Sequence, residues 1–281
     1  MSPIDVWDVS TFDSELTVFL RARAGLIQAY MEKEHEIVIS HDLGRGPKKA
    51  ILRPKNPYAE LFYALSGEVV QKLQSRKIRA FHYTRLMESE VDILQRDGVH
   101  LSTPATLRAR LNTCVSEGYL TTDMAEQLYT SSPLQNGQLE IRVNRFWMVS
   151  HPMVVDDDGV TPLLGHWGGE VASMWVKDKN LLATLTKIGK PRIIELSVPM
   201  AQTCHSYSAG EAVVATFGRS LGCIPNKHAF DLYITAPLSS EAVLAVHTEG
   251  DSNFAAMGRG FPLGFIDVDL GRWKELTGDD D

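Results

Sequence analysis

Apolar side chains recur every three to four positions through the first half of the chain, which is the spacing of helices that bury one face. One such stripe predicts a helix from Ser14 to about Glu34, followed by a short strand at 36–40. A second stripe predicts a helix over 59–77. Residues 78–84 then alternate as in a strand, which places His82 and Thr84 on one face.

Helix signals continue after this strand. A helix is predicted over 86–98 with Gly98 as its stop, and a second short strand over 99–102. Thr103 is expected to cap the next helix, whose first residue is Pro104. Further helices are predicted from residue 122 or 123 and over 170–185, with a strand-like stretch at 145–155 between them.

Strand patterns dominate the last third of the chain. They cover 192–199, 230–235 and 241–248, with one helix around 211–222. Because helices concentrate early and strands late, we expect an α+β fold with an antiparallel or mixed sheet, not an alternating doubly wound one.

A stretch with the composition of a loop marks one domain boundary. Residues 41–57 are rich in glycine, proline and lysine, so we expect an N-terminal accessory segment over 1–57 and a single domain over 58–281. A chain of 281 residues is within the size of one large core.

Composition limits the kinds of protein to which the chain can belong. The chain is 44% hydrophobic and 22% charged, without the roughly 18-residue apolar run that crosses a bilayer, so we expect a soluble cytoplasmic protein, or an effector delivered without a cleavable signal. The net charge of −7 means that a nucleic-acid partner would need a local basic groove. The three cysteines lack metal-ligand or disulfide spacing. The motifs GxGxxG, GxxxxGK[ST] and GxSxG are absent from the sequence.

The most informative block is AFHYTRLMESEVDILQRDGVHLST, residues 80–103. A strand-borne histidine, a helix of about three turns, a glycine stop and a strand ending in Ser-Thr resemble the opening of the ADP-ribosyltransferase fold. The resemblance is to its His-containing branch of diphtheria-toxin-type and DarT-like enzymes, the latter through His82-Tyr83-Thr84. FDLYITAPLSSEAVLAV, residues 230–246, is similar to the closing strands of that fold.

This resemblance implies a split β-sandwich with flanking helices and an enzyme that cleaves the nicotinamide–ribose bond of NAD, as in bacterial toxins and defence proteins. The acceptor of ADP-ribose and the oligomeric state stay open, and no membrane partner is implied. His82 and Thr84 would contact a ribose hydroxyl and Arg85 the pyrophosphate. Ser102 matches a second-strand hydroxyl. Tyr83 replaces the glycine that receives nicotinamide in many members, and core packing beside Phe81 competes with that role.

Three acids compete for the catalytic carboxylate. Asp231 lies where the family carries its late-strand acid, although glutamate is usual there. Glu170 follows two glycines that permit close approach of a ligand, with His166 as a donor and Trp167 as a stacking surface. Glu195 fits best as a paired charge on a strand face.

Alternatives to a transferase remain at this stage. The same fold could serve as an NAD glycohydrolase or as a silent NAD-binding module. A metal-dependent hydrolase would draw on His82, His100, His151 and His166, which lack ligand spacing, so no metal is expected. Four arginines could form a groove for an acidic substrate, and solvated helix faces are their simpler interpretation. They are Arg108, Arg110, Arg142 and Arg145.

Overall fold

The computed structural model describes residues 2–42, 52–135, 142–258 and 263–266. Its helices are α1 (Ser14–Arg21), α2 (Ala24–Ile37), α3 (Ala59–Leu73), α4 (Glu88–Asp97), α5 (Pro104–Ser116), α6 (Thr122–Ser131), α7 (Thr161–Gly165), α8 (Gly169–Ala172), α9 (Lys179–Leu185), α10 (Ala209–Ser220) and α11 (Ser252–Met257). Its strands are β1 (Lys77–Leu86), β2 (Phe146–Val149), β3 (Lys190–Pro199), β4 (Thr203–Cys204), β5 (Asp231–Ile234) and β6 (Val243–Thr248). The fold is therefore α+β, as predicted. Among the described residues, no helix has the length and apolar character needed to span a membrane.

The chain divides into two compact units. The first takes the described residues up to 77 together with 207–230 and 263–266, and the second takes 78–206 and 231–258. The sequence placed the end of the N-terminal segment at residue 57, whereas the first unit also includes α3 and α10.

Helices build the first unit. The Tyr30 ring of α2 stacks on the Phe62 ring of α3, with centroids 3.7 Å apart. The α10 helix is buried from Ala209 to Gly218, apart from the half-buried Glu211. At Gly210, a Cβ would overlap the Ser66 carbonyl of α3. Glycine thus lets α3 and α10 approach closely.

The predicted strand at 36–40 is wrong. The α2 helix runs to Ile37 and continues as a π-helical turn over Val38–Asp42. Ile37 and Val38 are buried and Ile39 is exposed, so the apolar residues extend the helical stripe of Ile27 and Met31 and do not alternate. The single helix predicted over 14–34 is two helices, α1 and α2.

The strands of the second unit form one six-stranded sheet in the order β4-β5-β2-β1-β3-β6, within the described residues. Each pair whose register is described is antiparallel, which agrees with the predicted antiparallel or mixed sheet. The predicted strand at 99–102 is wrong, because Val99 bridges to Leu238 and Ser102 to Arg145, so its backbone bonds go to two different segments.

Two predicted elements are shorter than expected. The strand-like stretch at 145–155 forms a strand only over β2, and Pro152, which has no N–H to donate, lies just beyond it. The helix predicted over 170–185 is split into α8 and α9, because the Asp178 side chain accepts hydrogen bonds from the N–H groups of Asn180 and Leu181 and starts a new helix.

Two apolar clusters hold the second unit together. The larger gathers α5, α6, α9 and the segment before α8, and its most buried members are Leu111, Cys114, Leu128, Trp167 and Leu185. The smaller packs Phe81 and Tyr83 of β1 against Val160, Leu164, Ile193 and Phe254. Phe81 and Tyr83 thus belong to this cluster, while His82 and Thr84 lie on the opposite face of β1 with the buried Ile78 and Ala80.

Candidate functional site

A cavity of about 660 Å³ lies in the second unit, and all the residues that line it belong to that unit. This volume is typical of small-molecule sites. The sequence-predicted residues among its lining are His82, Tyr83, Thr84, Ser102, Glu170 and Asp231. The cavity therefore brings together residues from distant parts of the chain.

The β1 and β2 strands shape one wall. Their described register pairs Phe81 with Val149. Beside this pair, the Trp147 carbonyl accepts a hydrogen bond from Nδ1 of His82 at 2.8 Å. A side chain of β1 thus bonds the backbone of β2 at the cavity wall.

His82 is held in one tautomer. Because a carbonyl can only accept, Nδ1 carries the proton and Nε2 keeps a lone pair. Nε2 has no hydrogen-bond partner among the described residues. Burial lowers the pKa of His82 to about 4; the Trp147 carbonyl opposes this shift and the charge of Arg110 adds to it. The ring is neutral at physiological pH and presents an acceptor.

Thr84 and Tyr83 point to different surroundings. Thr84 is buried and lines the cavity two residues after His82 on the same face of β1. The Tyr83 ring belongs to the smaller apolar cluster, where its hydroxyl donates to the Met153 carbonyl and accepts from the Met153 N–H. Burial raises the pKa of Tyr83 to about 12.

Three predicted cofactor contacts are not among the lining residues that the structure describes: Arg85, His166 and Trp167. Arg85 donates to the carbonyls of Ile188 and Leu164. Trp167 is fully buried, and its Nε1 donates to Glu90 at 2.8 Å. The structure thus gives Arg85 and Trp167 partners within the protein.

The three candidate acids occupy different places. Glu170 faces the cavity and forms an ion pair with Arg142, 2.8 Å from Nε, with a second contact from NH2 at 3.0 Å. Gly168 and Gly169, at φ +83° and +53°, supply the left-handed backbone that leads into Glu170. Asp231 also lines the cavity and is exposed at the start of β5.

Glu195 lies outside the cavity lining. It accepts from Arg79 at 2.7 Å and forms an ion pair with His247 at 3.0 Å. Burial raises the pKa of Glu195, but the bonds from Arg79 and His247 outweigh it and hold the pKa below its usual range. This is the paired strand-face charge that the sequence favoured.

Three of the four predicted groove arginines line the cavity: Arg110, Arg142 and Arg145. The Arg145 guanidinium lies 4.5 Å from the centroid of the Tyr233 ring, and no carboxylate in the described part of the chain pairs with it. Arg108 pairs with Glu126 instead, outside the lining. Arg145 therefore offers an unneutralised charge to an anionic ligand.

Sequence reasoning missed Glu90 as a site residue. Its Oε1 accepts from Arg110 Nε at 2.6 Å, and its Oε2 accepts from Trp167 Nε1 at 2.8 Å and from the Met87 N–H at 2.9 Å. An acid in the first turn of a helix is expected for capping alone, so the pattern carried no signal of the two tertiary contacts.

The histidines of the metal-hydrolase alternative are dispersed. His82 and His100 line the cavity, whereas His151 and His166 do not. Within the residues that the structure describes, no group of three or more His, Cys, Asp or Glu side chains is placed to hold a metal ion.

Comparisons with protein-family models, curated proteins and solved structures gave no match for this chain.

Proposed function

We propose that the chain is an NAD-dependent ADP-ribosyltransferase-like enzyme, whose described strands form one six-stranded sheet where the resemblance implies a split β-sandwich. The observation that carries this proposal is His82, whose neutral ring is fixed by the Trp147 carbonyl and lines a 660 Å³ cavity together with Glu170 and Asp231. A neutral imidazole acceptor suits a ribose hydroxyl, and a carboxylate suits the positive charge that develops on the ribose when its glycosidic bond breaks.

The cavity offers groups for the nicotinamide ribose and for the diphosphate of NAD. Nε2 of His82 accepts from a hydroxyl of the nicotinamide ribose, with Thr84 beside it. Arg145 attracts the diphosphate, because its charge has no carboxylate partner among the described residues. The Tyr233 ring, 4.5 Å from that guanidinium, lies 4.6 Å from the Trp147 ring.

We assign the catalytic carboxylate to Glu170. It is half-buried and Arg142 holds its carboxylate in one position at the cavity, whereas Asp231 is exposed. In the reaction, the bond between the anomeric carbon and nicotinamide breaks, and its electron pair stays on the pyridine nitrogen. A lone pair of the acceptor forms the new bond, and Glu170 takes the acceptor's proton.

Incubation with labelled NAD tests the proposal. We expect nicotinamide release together with transfer of label to an acceptor, and a loss of about 100-fold or more in kcat for Glu170→Gln because the charge is removed. Glu126→Gln is the matched control, since Glu126 forms a similar pair with Arg108 away from the cavity.

Other outcomes separate the alternatives. Nicotinamide release without label transfer would indicate a glycohydrolase that uses water as the acceptor. A loss in Asp231→Asn and not in Glu170→Gln would move the catalytic role to Asp231. Absence of both release and transfer would overturn the proposed enzyme, and NAD binding without turnover would then indicate a silent module.

A further inference from the structure

Arg110 is a cavity residue with a fixed side chain and unused donors. Its Nε donates to Glu90 at 2.6 Å, and its guanidinium carbon lies 4.8 Å from the centroid of the Trp167 ring. Glu90 is itself fixed by Trp167 and by the Met87 N–H. Neither terminal nitrogen of Arg110 has an acceptor among the described residues, and NH2 is buried.

Glu90 offsets much of the charge of Arg110. It is buried and lies 2.6 Å from the Arg110 Nε, so this guanidinium attracts an anion less strongly than an unpaired one does. Arg145 has no such partner in the described chain. An unbalanced guanidinium favours a phosphate, whereas a neutralised one with free N–H groups favours a neutral acceptor such as a carbonyl oxygen.

Arg110 and His82 act on the same part of the cavity. Both line it, and the charge of Arg110 contributes to the lowered pKa of His82. The Phe146 ring, 4.3 Å from the His82 ring, adds a flat apolar surface there. A ligand whose hydroxyl meets His82 would place its neighbouring ring near this aromatic surface, in the cavity that Arg110 also lines.

We propose that Arg110 binds the carboxamide oxygen of nicotinamide and so orients the leaving group. This inference rests on the proposed function. The hydrogen bond fixes the ring while the glycosidic electron pair moves onto its nitrogen, and Arg110 gains or loses no proton. Since Glu90 and Trp167 hold the guanidinium in place beforehand, little conformational entropy is lost on binding.

The test compares Arg110→Lys with Arg108→Lys, which changes the same residue type in the same helix outside the cavity. Lysine keeps a cation beside Glu90 but loses the rigid fork. Two substrates are used: NAD, and an analogue in which pyridine replaces nicotinamide. The thermal midpoint of each variant shows whether it folds.

We expect Arg110→Lys to raise KM for NAD about 10- to 100-fold, because a hydrogen bond from a charged donor is lost. KM for the pyridine analogue should stay at its wild-type value, and Arg108→Lys should change neither. Equal increases for both substrates, or equal effects of the two variants, would overturn the role of Arg110 while leaving NAD turnover in place. A wild-type protein that neither binds nor cleaves NAD would overturn the proposed function and this inference together.

Discussion

At the scale of single residues, the lowered pKa of His82 predicts how activity depends on pH. With a pKa of about 4 it keeps its Nε2 lone pair well below neutral pH. We expect kcat/KM for NAD to show no His82 titration between pH 8 and about 5 and to fall as pH approaches 4. A pH–rate profile checks this, and an inflection near pH 6.5 that disappears in His82→Ala would contradict it.

The same residue affects stability with a definite sign. Its pKa in the folded protein lies below the ordinary value of 6.5, so the unfolded chain binds more protons between these two pH values. As pH falls from 6.5 toward 4, protonation of His82 therefore favours the unfolded chain, and the free energy of unfolding decreases.

Single residues also show what a sequence can reveal about a site. Alternation along β1 is a local property, and it correctly kept His82 and Thr84 out of the apolar cluster that contains Phe81, although all three residues line the cavity. The partners of Arg85 and Trp167 are distant in sequence, at Ile188 and Glu90. Tertiary structure alone decides such pairings, and residue type in the sequence gives no signal of them.

At the scale of elements, the end of α4 yields a prediction. Gly98 has φ +87°, and a Cβ there would overlap the Leu238 carbonyl. Gly118, which follows α5 at φ +79°, has nothing within 4 Å of its Cβ position. We expect Gly118→Ala to cost about 1 kcal/mol of unfolding free energy, from backbone conformation alone, and Gly98→Ala to cost at least about 1 kcal/mol more. Urea denaturation measures both, and equal costs would contradict the overlap.

Helices with capping residues in the sequence could be predicted, whereas short strands that depend on distant segments for pairing could not. The Thr103 cap and Pro104 correctly located α5, and the Thr103 side chain does accept from the Thr106 N–H. The strand expected at 36–40 became helical because α2 continues through it, and the strand expected at 99–102 lacks one continuous partner. Whether a short apolar run pairs depends on what the rest of the chain brings beside it.

At the scale of the whole molecule, the division into two units predicts that a substitution in the first unit can lower stability without changing NAD binding. Gly210→Ala should lower the thermal midpoint, because the added Cβ meets the Ser66 carbonyl. KM for NAD should stay unchanged, since every residue lining the cavity belongs to the second unit. Gly67→Ala in α3, with nothing within 4 Å, is the control expected to leave the midpoint unchanged or to raise it. Differential scanning fluorimetry and initial rates test this, and a KM that changes with Gly210→Ala would contradict it.

The three contacts of Glu90 constrain how this cavity could evolve. A neutral residue in place of Arg110 would leave a buried carboxylate without its cation, which costs several kcal/mol. Glutamine at position 90 would remove that charge and keep an oxygen for the Trp167 indole and the Met87 N–H. If Arg110 binds the leaving group as proposed, relatives that recognise a different leaving group should differ at positions 90 and 110 together.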